Sequence, residues 1–303
     1  QRTLMRQVLK TLELDPKLYK DRAMLSLIST AKNELVTAAE FELNAGGDFR
    51  QKKAAQIYKE YQGQLKKNNA LDFDDLIMKT VELFDKKAVE YNILTVVNRR
   101  TAEKISRIYN FYAKHNWKYL QFIACLDPLG EPQGMREYSL TPEAYGDFLV
   151  ELFDLWYLDW QKGAQPSIRM FENDIGILLG YMPEACDQRG CCSIQCVVEA
   201  DGSVYPCDFY VVDRYRMGSF VENSMEEILK QGKTLGFVEE SVGNRTDCEQ
   251  CEYGYICRGG CRRNRQIGEE GQLGSNYFCK SYKKFFAAAL PRMKRIAQEL
   301  ARR

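Results

Sequence analysis

Eleven cysteines are spread unevenly along this chain: none precedes Cys125, and the last ten lie between Cys186 and Cys279. The densest run is Cys248-x2-Cys251-x5-Cys257-x3-Cys261, followed by Cys279, with Gly254, Gly259 and Gly260 supplying tight turns around it. Upstream sits Cys186-x5-Cys192-x14-Cys207, with Cys191 and Cys196 as extra thiols nearby. Such spacing gathers thiolates at one point, and a metal or cluster bound there supplies energy that a loop-rich region lacks in apolar core. The inventory suffices for two four-thiolate sites. Three chemistries fit it: a zinc ribbon built on the Cys248/Cys251 pair, two 4Fe-4S clusters, or disulfides, which a reducing compartment disfavours. A single histidine, His115, nearly excludes His-dependent triads, facial triads and Cys/His zinc sites.

The elements that must position these thiols are of two kinds. From Arg2 to about Phe84 the sequence reads as helix, with apolar residues three and four apart and breaks at Asp15-Pro16 and at Asn44-Ala-Gly-Gly. After Lys87 the pattern changes: a strand over 89–97, a helix over 101–114 and a second strand over 119–125 predict a parallel βαβ unit. Helices are expected over 142–160, 167–180 and 224–231, short strands and turns from Cys186 onward, and a closing basic helix from about Lys280. At 303 residues the chain has length for domains of ordinary size, and a net charge of +1 gives no global case for nucleic acid or membrane binding. No run of roughly 18 apolar residues occurs, and the first twenty residues are too charged for a secretory segment. The reading is a cytoplasmic protein with no membrane partner.

The run from Cys186 through Cys207-Asp-Phe-Tyr, then CEQCEYGYICRGGCRRNR and NYFCKSY, resembles the C-terminal SPASM domain of anaerobic sulfatase-maturating enzymes of the radical S-adenosylmethionine superfamily. The similarity extends back through LFDLWY (152–157) and LQFIACLDPLGE (120–131) to VEYNILTVV. It implies two 4Fe-4S clusters, one on Cys186, Cys192, Cys207 and Cys261, the other on Cys248, Cys251, Cys257 and Cys279. That leaves Cys125, Cys191 and Cys196 without ligand roles, Cys125 reading as a buried thiol of an apolar strand. From the residues alone, Asp208 reads as a turn aspartate bonded to local backbone. The resemblance implies instead that it is the general base that deprotonates a sulfatase Cys or Ser during oxidation to formylglycine, so that a sulfatase peptide or protein is the expected substrate. The same enzymes need a Cys-x3-Cys-x2-Cys loop for the cluster that cleaves S-adenosylmethionine. No cysteine before Cys125 supplies it, so the chain is expected to lack most of the S-adenosylmethionine site and to be inactive alone.

Residues 1–85 carry a different resemblance. QVLKTLELDPKLYKDRAMLSLISTAKNEL and IYKEYQGQLKKNNALDFDDLIMKTVELF, above all Leu71-Asp-Phe-Asp-Asp-Leu-Ile77, are similar to the 1B region of UvrD/PcrA-type superfamily 1 DNA helicases. Neither a phosphate-binding Gly-x4-Gly-Lys-Ser/Thr loop nor an Asp-Glu metal motif is present, so ATP hydrolysis is not expected. The resemblance implies at most weak DNA contact through residues 1–85, with Lys32, Asn33 and nearby basic residues meeting phosphates. Asp72, Asp74 and Asp75 read as a helix-start acidic cluster rather than a metal site. The resulting expectation is an α/β chain in three parts: 1–85 an all-helical region, 86–181 a partial parallel (β/α) barrel of radical S-adenosylmethionine type, and 182–303 a loop-rich iron-sulfur SPASM domain. The resemblances meet near Val81-Glu-Leu-Phe-Asp-Lys-Lys87, and Gln1 in place of Met suits a fragment, which makes a chimera the leading explanation. A DNA- or peptide-binding module, or a non-functional chimera with open strand edges, are the alternatives.

Overall fold

In the computed structural model, which describes residues 1–242, 246–267 and 273–302, the chain forms two compact units, Gln1–Tyr91 and Asn92–Arg303.

The first unit is wholly helical among its described residues: α1 (Arg2–Thr11), α2 (Asp21–Asn33), α3 (Ala38–Asn44), α4 (Phe49–Lys67) and α5 (Phe73–Lys87). Met5, Val8 and Leu9 fall on one stripe of α1 and meet Ile28 of α2 and Ile57, Tyr58, Tyr61 and Leu65 of α4 in the core. Side chains fix where helices begin. Thr37 and Glu40 form a capping box at α3, Asp48 accepts from the Arg50 and Gln51 amides at α4, and Asp72 and Asp75 form a second box at α5. The acidic cluster at 72–75 is thus a helix start, as its position suggested.

The expectation that Lys32 meets phosphate is overturned. Its side chain is 0% exposed, and Nζ lies 2.7 Å from Asp72 Oδ2 and 2.9 Å from Asp75 Oδ1. The helical stripe that carries Ile28 and Ala31 inward carries Lys32 with them, and the two carboxylates at the start of α5 hold its charge there. Asn33 remains exposed.

The second unit opens with β1 (Ile93–Val97), α6 (Arg99–Ala102), α7 (Ile105–Lys114) and β2 (Tyr119–Ala124), followed by α8 (Pro142–Trp160), β3 (Ser167–Ile168) and α9 (Arg169–Leu178). The strands form a parallel sheet in the order β1-β2-β3, with Ile93 opposite Leu120, Val97 opposite Ala124, and Tyr119 opposite Ser167. The βαβ unit is therefore present, with three local differences. Strand β1 begins at Ile93 rather than at residue 89, because Val89 N still bonds to Phe84 O and Ala88 takes a left-handed turn that closes α5. The helix between the strands breaks at Glu103 and Lys104 into α6 and α7. Residues 167 and 168 pair with β2 before α9 starts. Helix α8 begins as its sequence dictates, with Thr141 accepting from Ala144 N and Pro142 in the first turn.

Beyond α9 come α10 (Cys186–Arg189), an antiparallel sheet of β4 (Val197–Val198), β5 (Ser203–Tyr205) and β6 (Gly218–Ser219), then α11 (Met225–Thr234), α12 (Phe237–Glu240), α13 (Thr246–Glu249) and α14 (Gly254–Cys257). A ribbon of β7 (Arg265–Ile267) and β8 (Leu273–Asn276) leads into the long α15 (Cys279–Ala301). The main core of this unit lies where α15 packs on α8 and α9: Phe285, Ala289, Met293 and Ile296 meet Leu149, Leu152, Phe153, Trp156 and Phe171. The small sheet packs on a cluster of Val204, Met217 and Ile228, with Cys196 against them. Among the described residues no helix is long and apolar enough to cross a membrane.

Candidate functional site

Electrostatic coupling links the cysteines into two neighbourhoods, the first of which also takes in Cys191. The charge of Cys186 acts on Cys192, that of Cys192 on Cys207, and those of Cys192 and Cys186 on Cys261. Separately, Cys248 and Cys279 act on Cys257, and Cys248 and Cys251 act on Cys279. These effects reach several ångströms, farther than a metal–ligand bond. Among the described residues no three His, Cys, Asp or Glu side chains stand close enough to hold a single metal ion.

Each neighbourhood is built from separate elements. Cys186 starts α10 and Cys207 follows β5, while Cys261 stands between α14 and β7; Cys248 is in α13, Cys257 ends α14 and Cys279 starts α15. Glycines let the loops approach. At Gly254 a Cβ would lie 2.2 Å from Cys248 O, so that residue permits a close backbone crossing rather than a turn. Gly259 and Gly260 both have positive φ, 88° and 68°, and a Cβ would lie 2.2 Å from Arg265 Nη2 and 2.5 Å from Asn276 Nδ2 respectively.

The sulfurs meet backbone dipoles in a repeated pattern. The N–H two residues on, from Phe209, Gly259 and Arg263, bonds to the sulfur of Cys207, Cys257 and Cys261. Without a bound cation, burial outweighs these donors and pushes all three thiols up to about 12. Burial likewise raises Cys186, Cys192 and Cys279. The donor set fits an iron-sulfur cluster: the thiols are soft and numerous, several meet N–H groups that offset thiolate charge, and a bound cation would reverse the effect of burial.

A cavity of about 380 Å³ lies between the neighbourhoods and the carboxyl end of β2, the end at which parallel sheets place ligands. Its walls include Ile123 and Ala124 of β2, Arg169 and Asp174 of α9, Cys186, Cys257, Cys261, Asp208 and Tyr282. Asp208 is exposed at the rim, and the Cys207 thiol donates to its Oδ1 at 3.4 Å. Asp174 is 2% exposed, and burial holds its carboxyl well above the usual range although Gln188 Nε2 donates to Oδ1 at 2.8 Å. Burial also raises the Tyr282 phenol, and Tyr145, Asp187, Cys257 and Cys261 add to this. Tyr282 therefore feels one thiol from each neighbourhood.

The three other thiols differ in their surroundings, and Cys191 acts on Cys192. Cys191 is exposed, Cys196 packs against the small apolar core, and Cys125 is partly buried with its thiol raised by burial and by Asp127. Sequence reasoning passed over Asp174, Tyr282 and Arg262. Asp174 carried a usable signal, an acid inside the apolar MFENDIGILL run; Tyr282 and Arg262 gained meaning only from their neighbours.

Residues 190–252 match the SPASM family, an iron-sulfur cluster-binding domain, and residues 1–110 match the UvrD/REP helicase N-terminal domain, beyond the boundary expected near residue 85. The cysteine-type anaerobic sulfatase-maturating enzyme of Clostridium novyi is 42% identical over 227 residues, which are 75% of this chain and 61% of that protein. The solved structure of native anSMEcpe with bound AdoMet and Cp18Cys peptide superposes with a TM-score of 0.71 at 43% identity, over 76% of this chain and 64% of that one. The ATP-dependent DNA helicase PcrA of Bacillus subtilis is 46% identical over 86 residues, 28% of this chain and 12% of that protein. The chain thus spans under two thirds of the length of these relatives. Its C-terminal two thirds resembles anaerobic sulfatase-maturating enzymes and its N-terminal part the start of a DNA helicase, the pattern of a chimera.

Proposed function

We propose that residues 182–303 hold two 4Fe-4S clusters, the first on Cys186, Cys192, Cys207 and Cys261, the second on Cys248, Cys251, Cys257 and Cys279. We further propose that the cavity beside them takes a sulfatase peptide. The match of residues 190–252 to an iron-sulfur cluster-binding domain carries this, and the mutual electrostatic coupling of Cys186, Cys192, Cys207 and Cys261, and of Cys248, Cys251, Cys257 and Cys279, supports the grouping. Fully thiolate-ligated clusters supply one-electron transfer and no open iron.

The chain's own residues do the rest. Asp208, exposed at the rim of the cavity, is placed to accept the proton of a substrate thiol or hydroxyl. The cysteine-type relative favours a cysteine substrate. Burial disfavours ionisation of Asp174 and Tyr282 on the inner wall of the cavity, in contrast to the exposed Asp208 carboxyl at the rim. Oxidation to formylglycine also requires radical generation, and these 303 residues contain no Cys-x3-Cys-x2-Cys loop. On this reading they do not carry out the oxidation, or bind S-adenosylmethionine fully, by themselves; residues 86–181 supply only the last part of a barrel. The helicase match favours a secondary reading for residues 1–85, weak phosphate contact from exposed basic residues, in which Lys32 takes no part.

Anaerobic reconstitution tests the cluster assignment. About eight iron and eight acid-labile sulfide per chain support it; stoichiometric zinc without sulfide sinks it and leaves a zinc-stapled binding module.

A further inference from the structure

Arg262 follows Cys261 directly, and its guanidinium is held on several sides. Nη1 donates to Phe237 O at 2.8 Å, and Nη2 donates to Tyr215 Oη at 2.7 Å and Glu240 Oε2 at 2.8 Å. The rings of Phe237, Tyr210 and Tyr215 stand 4.9, 5.0 and 5.3 Å from it. The side chain is only 8% exposed, and Nε has no hydrogen-bond partner. A cation so far from water is costly unless negative charge compensates it. Compensation within the protein is incomplete, because Arg214 also claims Glu240, leaving the three groups with one net positive charge. Arg262 follows Cys261 in the chain, its charge acts on Cys192, and the Tyr210 ring 5.0 Å from it feels both Cys192 and Cys261, so the caged cation neighbours two thiols of the first group.

We infer that Arg262 is a positioning residue for the first cluster, a caged charge that raises the cluster's reduction potential while Glu240 lowers it. The inference rests on the proposed assignment of that cluster. One electron added to a thiolate-ligated cluster makes it more negative, so a fixed cation in a poorly screened site stabilises the reduced form more than the oxidised form. The aromatic cage and three hydrogen bonds keep the guanidinium from relaxing toward solvent.

The test is a potentiometric titration of the full reconstituted chain with dithionite, read by EPR, with iron and sulfide counted for each variant. Arg262→Met is expected to lower the reduced-to-oxidised ratio of one cluster about tenfold at a given potential, about 59 mV downward for a one-electron couple. Glu240→Gln moves the same wave upward, Arg262→Lys recovers most of the loss, and the second cluster's wave stays in place as an internal reference. Loaded variants whose waves do not move, or that both move in one direction, overturn the inference and leave the cluster assignment standing. If Arg262→Met fails to load, Glu240→Gln decides, and a wave that stays or falls refutes the idea. A wild-type chain that takes zinc and no sulfide overturns both proposals.

Discussion

Replacing Lys32 with methionine isolates what a buried charge does in the helical unit. The substitution keeps most of the aliphatic stem and removes the ammonium group that lies 2.7 Å from Asp72 and 2.9 Å from Asp75, carboxylates that are 3% and 2% exposed. Only Tyr61 Oη, donating to Asp72 at 3.2 Å, and Gln62 Nε2, donating to Asp75 at 3.0 Å, remain as side-chain donors. Deleting one partner of a buried ion pair costs about 3–5 kcal/mol, because the other charge stays in place without compensation. Native-state hydrogen exchange of the α2 and α5 amides reads this as opening made roughly 10²- to 10³-fold more frequent, at about 1.4 kcal/mol per decade. The cost shrinks in acid. Burial raises the Asp75 carboxyl, but its hydrogen bonds from Lys32 and Gln62 and the Lys32 charge outweigh that and hold it below the usual range. The wild-type contribution is therefore present above the unfolded pKa of about 3.9 and is lost as pH falls through the lower folded value. In Lys32→Met the unpaired carboxylates are relieved by protonation, so the deficit narrows as pH falls. Adding Asp72→Asn and Asp75→Asn should restore much of the loss at neutral pH, since asparagine still caps α5. A loss under about 1 kcal/mol, or no recovery in the triple variant, would refute the electrostatic account.

Three further outcomes follow from the second unit. Gly254→Ala should lose the iron of the second cluster and keep that of the first, because its Cβ would lie 2.2 Å from Cys248 O; unchanged iron and sulfide would show that the crossing can relax. Asp208→Asn should leave iron and sulfide unchanged and weaken binding of a cysteine-containing sulfatase peptide at pH values below the free thiol pKa of about 8.5, where the S–H can donate to the carboxylate, with the deficit shrinking as the thiol ionises, measured by fluorescence anisotropy. Loss of cluster would place Asp208 in the support of Cys207 instead. Asp174→Asn should raise Tm by a few degrees at pH 8 and by less at pH 4, at equal cluster loading, since about 1 kcal/mol shifts Tm by roughly 2–4 °C for a chain of this size. The raised folded pKa of Asp174 makes its stability contribution complete below the unfolded value and lost as pH rises through the folded one, a loss that asparagine avoids.

Much of the local architecture was legible because local chemistry decides it. Thr37, Asp48, Asp72 and Thr141 mark helix starts by their own hydrogen bonds, and the apolar run from Ile93 to Val97 could pair with the run after Tyr119 only through the intervening helical segment. The cysteine spacing was legible for the same reason, since turns at Gly259 and Gly260 require positive φ. What was not legible depends on distant partners. Lys32 looks like any surface lysine until Asp72 and Asp75, about forty residues on, close over it. Arg262 looks like part of a basic run until Phe237, Tyr215 and Glu240 enclose it.

The two ends of the second unit also differ in what can hold them together. Helices α8, α9 and α15 share a broad aromatic core, and such burial stabilises at about 25 cal/mol per Å² of apolar surface removed from water. The β4-β5-β6 sheet rests on the small cluster of Val204, Met217 and Ile228, a much smaller core for the loops that carry Cys186, Cys192 and Cys207. Those loops are tied instead by polar contacts, such as Ser241 Oγ accepting from Cys192 N at 2.8 Å and the Arg262 cage, and by whatever the thiols bind. On the proposed cluster assignment, cluster binding and folding of this region are one equilibrium. A chelator should release the small sheet while α8 and α15 stay packed, and protease cleavage confined to residues 186–240 after iron removal would separate this coupling from a cluster that merely decorates a stable fold.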